Sequence, residues 1–180
     1  MVVDRAQTVR GALAGTVAAA VWAAQQPLDR RVFGVPYDDT ELLGKLVTRR
    51  AGWPAVGLAL HLANGAVVGA LYARAAPRMP LPSWSRGPVV ALGEHLATWP
   101  LTLLSDHVHP ARDELPTLAR DVRAFAQAAW RHLLFGVTLG ELERRLNAPR
   151  DGELPSYEDI VAGDGHGGLH AVVVGDRPDG

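Results

Sequence analysis

The stretch WPAVGLALHLANGAVVGALYA, residues 53–73, contains no Asp, Glu, Lys or Arg and is bounded by Arg50 and Arg74. A helix that crosses a bilayer needs about 20 mostly apolar residues, and Trp53 and Tyr72 stand where interfacial aromatic side chains belong. The stretch therefore reads as a membrane span, and three further apolar segments are read in its light: residues 11–28, 87–104 and 124–142. The first is alanine-rich and follows Arg5 and Arg10, a pattern shared with cleaved secretory signals. The apolar segments behind it favour an uncleaved helix. The third and fourth segments carry charges. The expected fold is all-α: a four-transmembrane-helix bundle over residues 1–146, with a short interfacial helix between the first two spans and a polar, mostly disordered C-terminal tail over residues 147–180.

Composition narrows the field of functions. The 180 residues are 48% hydrophobic and 21% charged, values that leave water and lipid equally open, so the distribution along the chain has to decide. A formal net charge of −1 and the lack of a basic stripe argue against a nucleic-acid partner. The absence of cysteine excludes disulfides, thiolate metal sites and cysteine nucleophiles. Lys45 is the single lysine beside 17 arginines, a usage typical of GC-rich bacterial genomes. Basic residues divide evenly between the two sides of a four-span arrangement, so orientation is not set by charge.

The connections are polar. Asp38 or Asp39 is placed to cap a helix whose Leu42, Leu43, Leu46 and Val47 share one face. Trp99-Pro100 should kink the third segment, because proline removes an amide and crowds the preceding turn. In the tail, His166 and His170 sit among glycines, and residues 169–174 form a short strand-like run.

Small residues recur at helical contact spacing: Gly11 with Gly15, Gly65 with Gly69, Gly136 with Gly140, and Gly93 with Ala97. In lipid, helices associate chiefly through close backbone approach, which such pairs permit. The ionisable residues lie on the same faces. His61 and Asn64 fall with Gly65 and Gly69, Glu94 and His95 share a stripe with Thr98, and Arg131 and His132 lie beside the Gly136–Gly140 face. A buried polar cluster of His61, Asn64, Glu94, His95, Arg131 and His132 follows, and depth arithmetic in an up-down bundle pairs Glu94 with Arg131.

Three roles compete for that cluster: locking helix packing, carrying protons or a solute through the membrane, and ligating haem or a metal through the histidines. No cofactor is assigned. The stretch SDHVHPARDE supplies a second candidate, with His107 and His109 as metal ligands of a membrane enzyme. No phosphate loop, nucleophile elbow or dinucleotide fingerprint is present, so an enzyme is the less favoured reading. A soluble helical bundle is the remaining alternative.

The segments GALAGTVAAAVW and HLANGAVVGALYA, a glycine-led third span with a charged middle, and ERRL after the last span together resemble the YagU-like group of small bacterial inner-membrane proteins. The likeness runs from about Gly11 to Leu146. It implies a multi-pass location in the bacterial inner membrane, with the lipid bilayer as partner and self-association as a further expectation. It carries over no active-site residues.

Overall fold

The structure is a computed structural model that describes residues 5–148. The chain divides into two units, Met1–Asn147 and Ala148–Gly180, and the helices below all belong to the first. The predicted tail, with His166, His170 and its strand-like run, lies outside the described residues. Six α-helices make up the described part: α1 (Arg5–Phe33), α2 (Asp39–Val47), α3 (Trp53–Ala75), α4 (Ser83–Thr98), α5 (Leu101–Val108) and α6 (Val122–Leu146). A 3-10 turn, Ala76–Arg78, follows α3. The helical bundle expected from the pattern is present, and no strand occurs among the described residues.

The four-span arrangement is corrected. Among the described residues a single helical segment, Trp53–Arg78, is long and apolar enough to cross a membrane. The helices α1 and α6 have sufficient length, but α1 is dominated by alanine, and α6 carries Gln127, Arg131 and His132 in its middle. The third segment is broken at Trp99-Pro100 into helices of 16 and 8 residues. The expected kink is a full interruption, because the proline at position 100 cannot supply the amide that would continue the α4 ladder.

Helix starts follow their caps. The Asp38 carboxylate accepts from the amides of Thr40 and Glu41 to begin α2, and the Asp121 carboxylate accepts from those of Arg123 and Ala124 to begin α6. Because Asp38 takes the capping role, Asp39 is left free to turn inward.

Glycine governs how the helices approach. A Cβ built at Gly15 would overlap the carbonyl of Gly65, and one at Gly69 the carbonyl of Gly11, so α1 and α3 lie backbone to backbone. On α4 the contact residues are Gly87 and Ala91, which meet Gly136 and Gly140 of α6. Gly93 faces open space, so the Gly93–Ala97 pair is not the packing strip. A further contact joins α2 to α3, where Gly44 lies against Trp53 and Gly57 against Thr40.

These contacts set the neighbour order. α1 packs on α3 and on α6, and α6 packs on α4, so the four longer helices follow the sequence α3, α1, α6, α4. α3 and α4 scarcely touch, and the space between them is the principal cavity.

The interior combines two apolar clusters with a set of buried polar side chains, and many Leu and Val side chains point outward. Arg131, Gln127 and His95 are among the largest fully buried side chains. Val9, Leu13, Val17 and Val21 form an outward stripe on α1 at intervals of four residues, with Leu13 57% exposed. Leu58, Val67 and Leu71 on α3, Val89 and Leu96 on α4, and Val137 on α6 also point outward. Charged side chains are rarely fully buried unless paired, and the buried Arg131 is paired with Asp29 and Asp39.

Candidate functional site

The polar interior has two parts, and the first is an ion-pair lock. Trp22, Gln26 and Asp29 continue the buried face of α1 that begins at Gly11 and Gly15. From α6, the Arg131 guanidinium donates through Nε to Asp29 Oδ2 at 2.6 Å and through Nη2 to Asp29 Oδ1 at 2.7 Å. Its Nη1 donates to Asp39 Oδ2 at 2.6 Å, and Nη2 also reaches the Tyr37 carbonyl at 3.0 Å. This is the bidentate geometry that the planar guanidinium fork makes with a carboxylate.

Neutral donors complete the lock. Gln127 donates to Asp29 Oδ1 at 2.8 Å and Gln25 to Asp29 Oδ2 at 2.6 Å. The Trp22 indole donates to Asp39 Oδ2 at 2.9 Å, and the Tyr37 hydroxyl donates to Asp39 Oδ1 at 2.5 Å. Burial by itself would push the Asp39 carboxyl up, yet the Arg131 charge and the hydrogen bonds from Tyr37 and Trp22 hold it below the usual carboxylate range. Burial, and then the neighbouring Asp39 charge, push the Tyr37 hydroxyl well above the ordinary phenol value.

The expected pairing of Glu94 with Arg131 is therefore corrected. Arg131 is fully buried against two aspartates, while Glu94 Oε2 lies 3.1 Å from His132 Nε2. Asp29 and Asp39 escape a reading by segment because one lies beyond the apolar part of the first segment and the other resembles a helix cap. The spacing 11, 15, 18, 22, 26, 29 would have placed Asp29 on the glycine face of α1.

The second part is a cavity of about 470 Å³ between α3 and α4, with α1 and α6 behind it and residues of α2 and α5 also lining it. His61, Asn64, Glu94, His95 and His132 all line it, together with Trp22, Trp99 and Phe135. Five of the six residues of the sequence-derived cluster thus meet in one chamber, and Arg131 belongs to the lock. The His61 Nε2–H donates to the Ala19 carbonyl at 3.2 Å. The His132 Nδ1–H donates to the Ala128 carbonyl at 2.8 Å. His95 lies 4.8 Å from His132, ring centre to ring centre, and its buried Nε2 has no hydrogen-bond partner.

The chamber sets a half-exposed carboxylate beside two imidazole rings and leaves one buried ring nitrogen unmet. Neither feature amounts to a metal centre. No group of three or more His, Asp or Glu side chains able to hold a metal ion occurs among the described residues. His107 is exposed, with Nδ1 on the Leu103 carbonyl of its own helix. His109 is buried with both ring nitrogens engaged, Nδ1 accepting from the Ala111 amide at 3.1 Å and Nε2 donating to the Leu42 carbonyl at 3.0 Å. Nearby Asp106 accepts from the amides of Leu118 and Ala119. These side chains tie the segment after α5 to the bundle.

Gly11, Gly15, Gly65, Gly69, Gly136 and Gly140 all lie at helix–helix crossings. Comparison with protein-family models, curated proteins and solved structures finds no match to this chain.

Proposed function

We propose that this chain is an integral membrane protein whose bundle carries a structural ion-pair lock and, beside it, a polar chamber for proton or solute passage. The supporting observation is how little of the most apolar helix the rest of the fold covers. The segment Trp53–Arg78 is apolar enough to span, and only 28% of its most apolar window is buried within the fold. The core helix of a water-soluble protein would be mostly covered. The outward Val and Leu side chains of α1 and α4, with Val137 of α6, add to the same apolar exterior.

The division of labour follows from the pairing of charges, since each part keeps one buried unpartnered atom, Gln127 Oε1 in the lock and His95 Nε2 in the chamber. Arg131, Asp29 and Asp39 are richly paired and suit a role in fixing the helices. The chamber is incompletely satisfied, at His95 Nε2, and its Glu94 side chain remains 44% exposed. Groups that must bind and release something cannot be saturated by the protein itself.

Kinship with the YagU-like group, and with it a bacterial inner-membrane location, belongs to this proposal; the glycine-containing segments GALAGTVAAAVW and HLANGAVVGALYA support it. Fractionation tests the membrane reading. The full chain should remain in the membrane pellet after an alkaline carbonate wash and require detergent for release. Recovery in the aqueous supernatant would overturn it.

A further inference from the structure

Resting on the reading of the chamber as a solute site, we infer that its ligand is a small organic cation: an ammonium seated at Glu94, with an apolar or aromatic body against Trp22 and Trp99. Charge is the first argument. Among the described residues no Lys or Arg lines the chamber. The nearest full positive charge, Arg131, lies behind the wall and is opposed by two carboxylates, so the lock carries one negative charge in excess. Glu94 faces only His132. A cavity of one sign with low-dielectric walls concentrates its field, and this one favours a cation over an anion.

The second argument is acceptor capacity. The Glu94 carboxylate lies 3.1 Å from His132 Nε2 through Oε2, and its side chain, 44% exposed, keeps room for a further donor. His95 is 2% exposed, and its Nε2 is unpartnered on a ring that lines the chamber. The His95 ring thus leaves polar capacity unspent in the chamber wall, while the half-exposed Glu94 carboxylate is the group that would meet an ammonium.

The third argument concerns the ligand's body. Trp22, Trp99 and Phe135 present aromatic surface to the same space, and aromatic faces attract cations that have shed part of their hydration. A volume of about 470 Å³ lies within the range of small-molecule sites.

The test uses the full chain in detergent and isothermal titration with two probes of similar body and opposite charge, phenethylammonium and 3-phenylpropionate. Phenethylammonium should bind saturably, one per chain, and 3-phenylpropionate at least tenfold more weakly. Glu94→Gln should weaken ammonium binding by about tenfold or more while the far-UV helix signal is kept, since this side chain is half exposed and outside the lock. Thr98→Leu, which fills the chamber from α4, provides a second variant and should abolish binding. Equal or tighter binding of the carboxylate, unchanged affinity in Glu94→Gln, or no saturable ammonium binding overturns the inference. A chain that stays in the membrane pellet yet takes no ammonium sinks the ligand inference alone, whereas loss to the supernatant sinks the membrane reading whatever is bound.

Discussion

Replacing Arg131 by methionine should be the most damaging single change in the bundle. Methionine keeps much of the aliphatic volume but removes four hydrogen bonds, two to Asp29, one to Asp39 and one to the Tyr37 carbonyl. Two carboxylates are then left without their cation, one of them 2% exposed. Breaking a buried ion pair from one side costs about 3–5 kcal/mol. At roughly 2–4 °C per kcal/mol for a chain of this size, the midpoint of thermal unfolding should fall by about 6–20 °C.

The lock is asymmetric, and the asymmetry sharpens the test. Asp29→Asn leaves Arg131 paired with Asp39 and makes the remaining cluster neutral, so its cost should be near that of lost charge-assisted hydrogen bonds, about 1.5–3 kcal/mol. In the double variant Asp29→Asn, Arg131→Met the orphaned charge at position 29 is absent. The double variant should therefore cost less than the sum of the two singles by about 1 kcal/mol or more. Circular dichroism at 222 nm, in one detergent at fixed concentration, measures all four proteins. Additivity within about 0.5 kcal/mol would refute the assignment of Asp29 as the partner of Arg131.

Two more outcomes are expected. Gly15→Val should separate α1 from α3, because its side chain would run into the Gly65 backbone, and should cost at least as much as typical overpacking, about 1–3 kcal/mol. Gly93→Ala, with open space at its Cβ, should instead stabilise α4 by about 0.5–1 kcal/mol; equal loss in both variants on thermal unfolding would contradict the packing scheme. For pH, Asp39 has a folded-state carboxyl value lowered, on balance, by Arg131, Tyr37 and Trp22 against the opposing effect of burial. Its contribution is present above the ordinary carboxylate value of about 4 and is lost as pH falls through its lower folded value. Wild-type unfolding midpoints should thus fall more steeply below about pH 4 than those of Asp39→Asn, and parallel curves would remove Asp39 from the account.

Much of the architecture was legible locally. Helix periodicity, the cap at Asp38, a kink at Trp99-Pro100 and the contact glycines of α1, α3 and α6 all depend on interactions within a few residues or along one helix face; the Asp121 cap and the contact through Gly87 were not read. The same faces directed His61, His95 and Arg131 to buried positions and His132 to a partly buried one, whereas Asn64 and Glu94, expected in the buried cluster, are exposed at the chamber's edge. Apolarity of single segments was a weaker guide. It overestimated spans in which alanine, glutamine and a central arginine lower the drive into lipid, as in α1 and α6.

The order of helices and the partners of each charge belonged to the tertiary structure. A simple up-down sequence puts α3 beside α4 and brings Glu94 toward Arg131, whereas the glycine contacts draw α1 onto α3 and α6 onto α4. That order turns Arg131 toward Asp29 and Asp39, leaves Glu94 to His132, and opens the chamber between α3 and α4. Sequence periodicity establishes which way a side chain leaves its own helix; which carboxylate it meets depends on the rotation and separation of several helices at once, and those are settled only when their backbones come into contact.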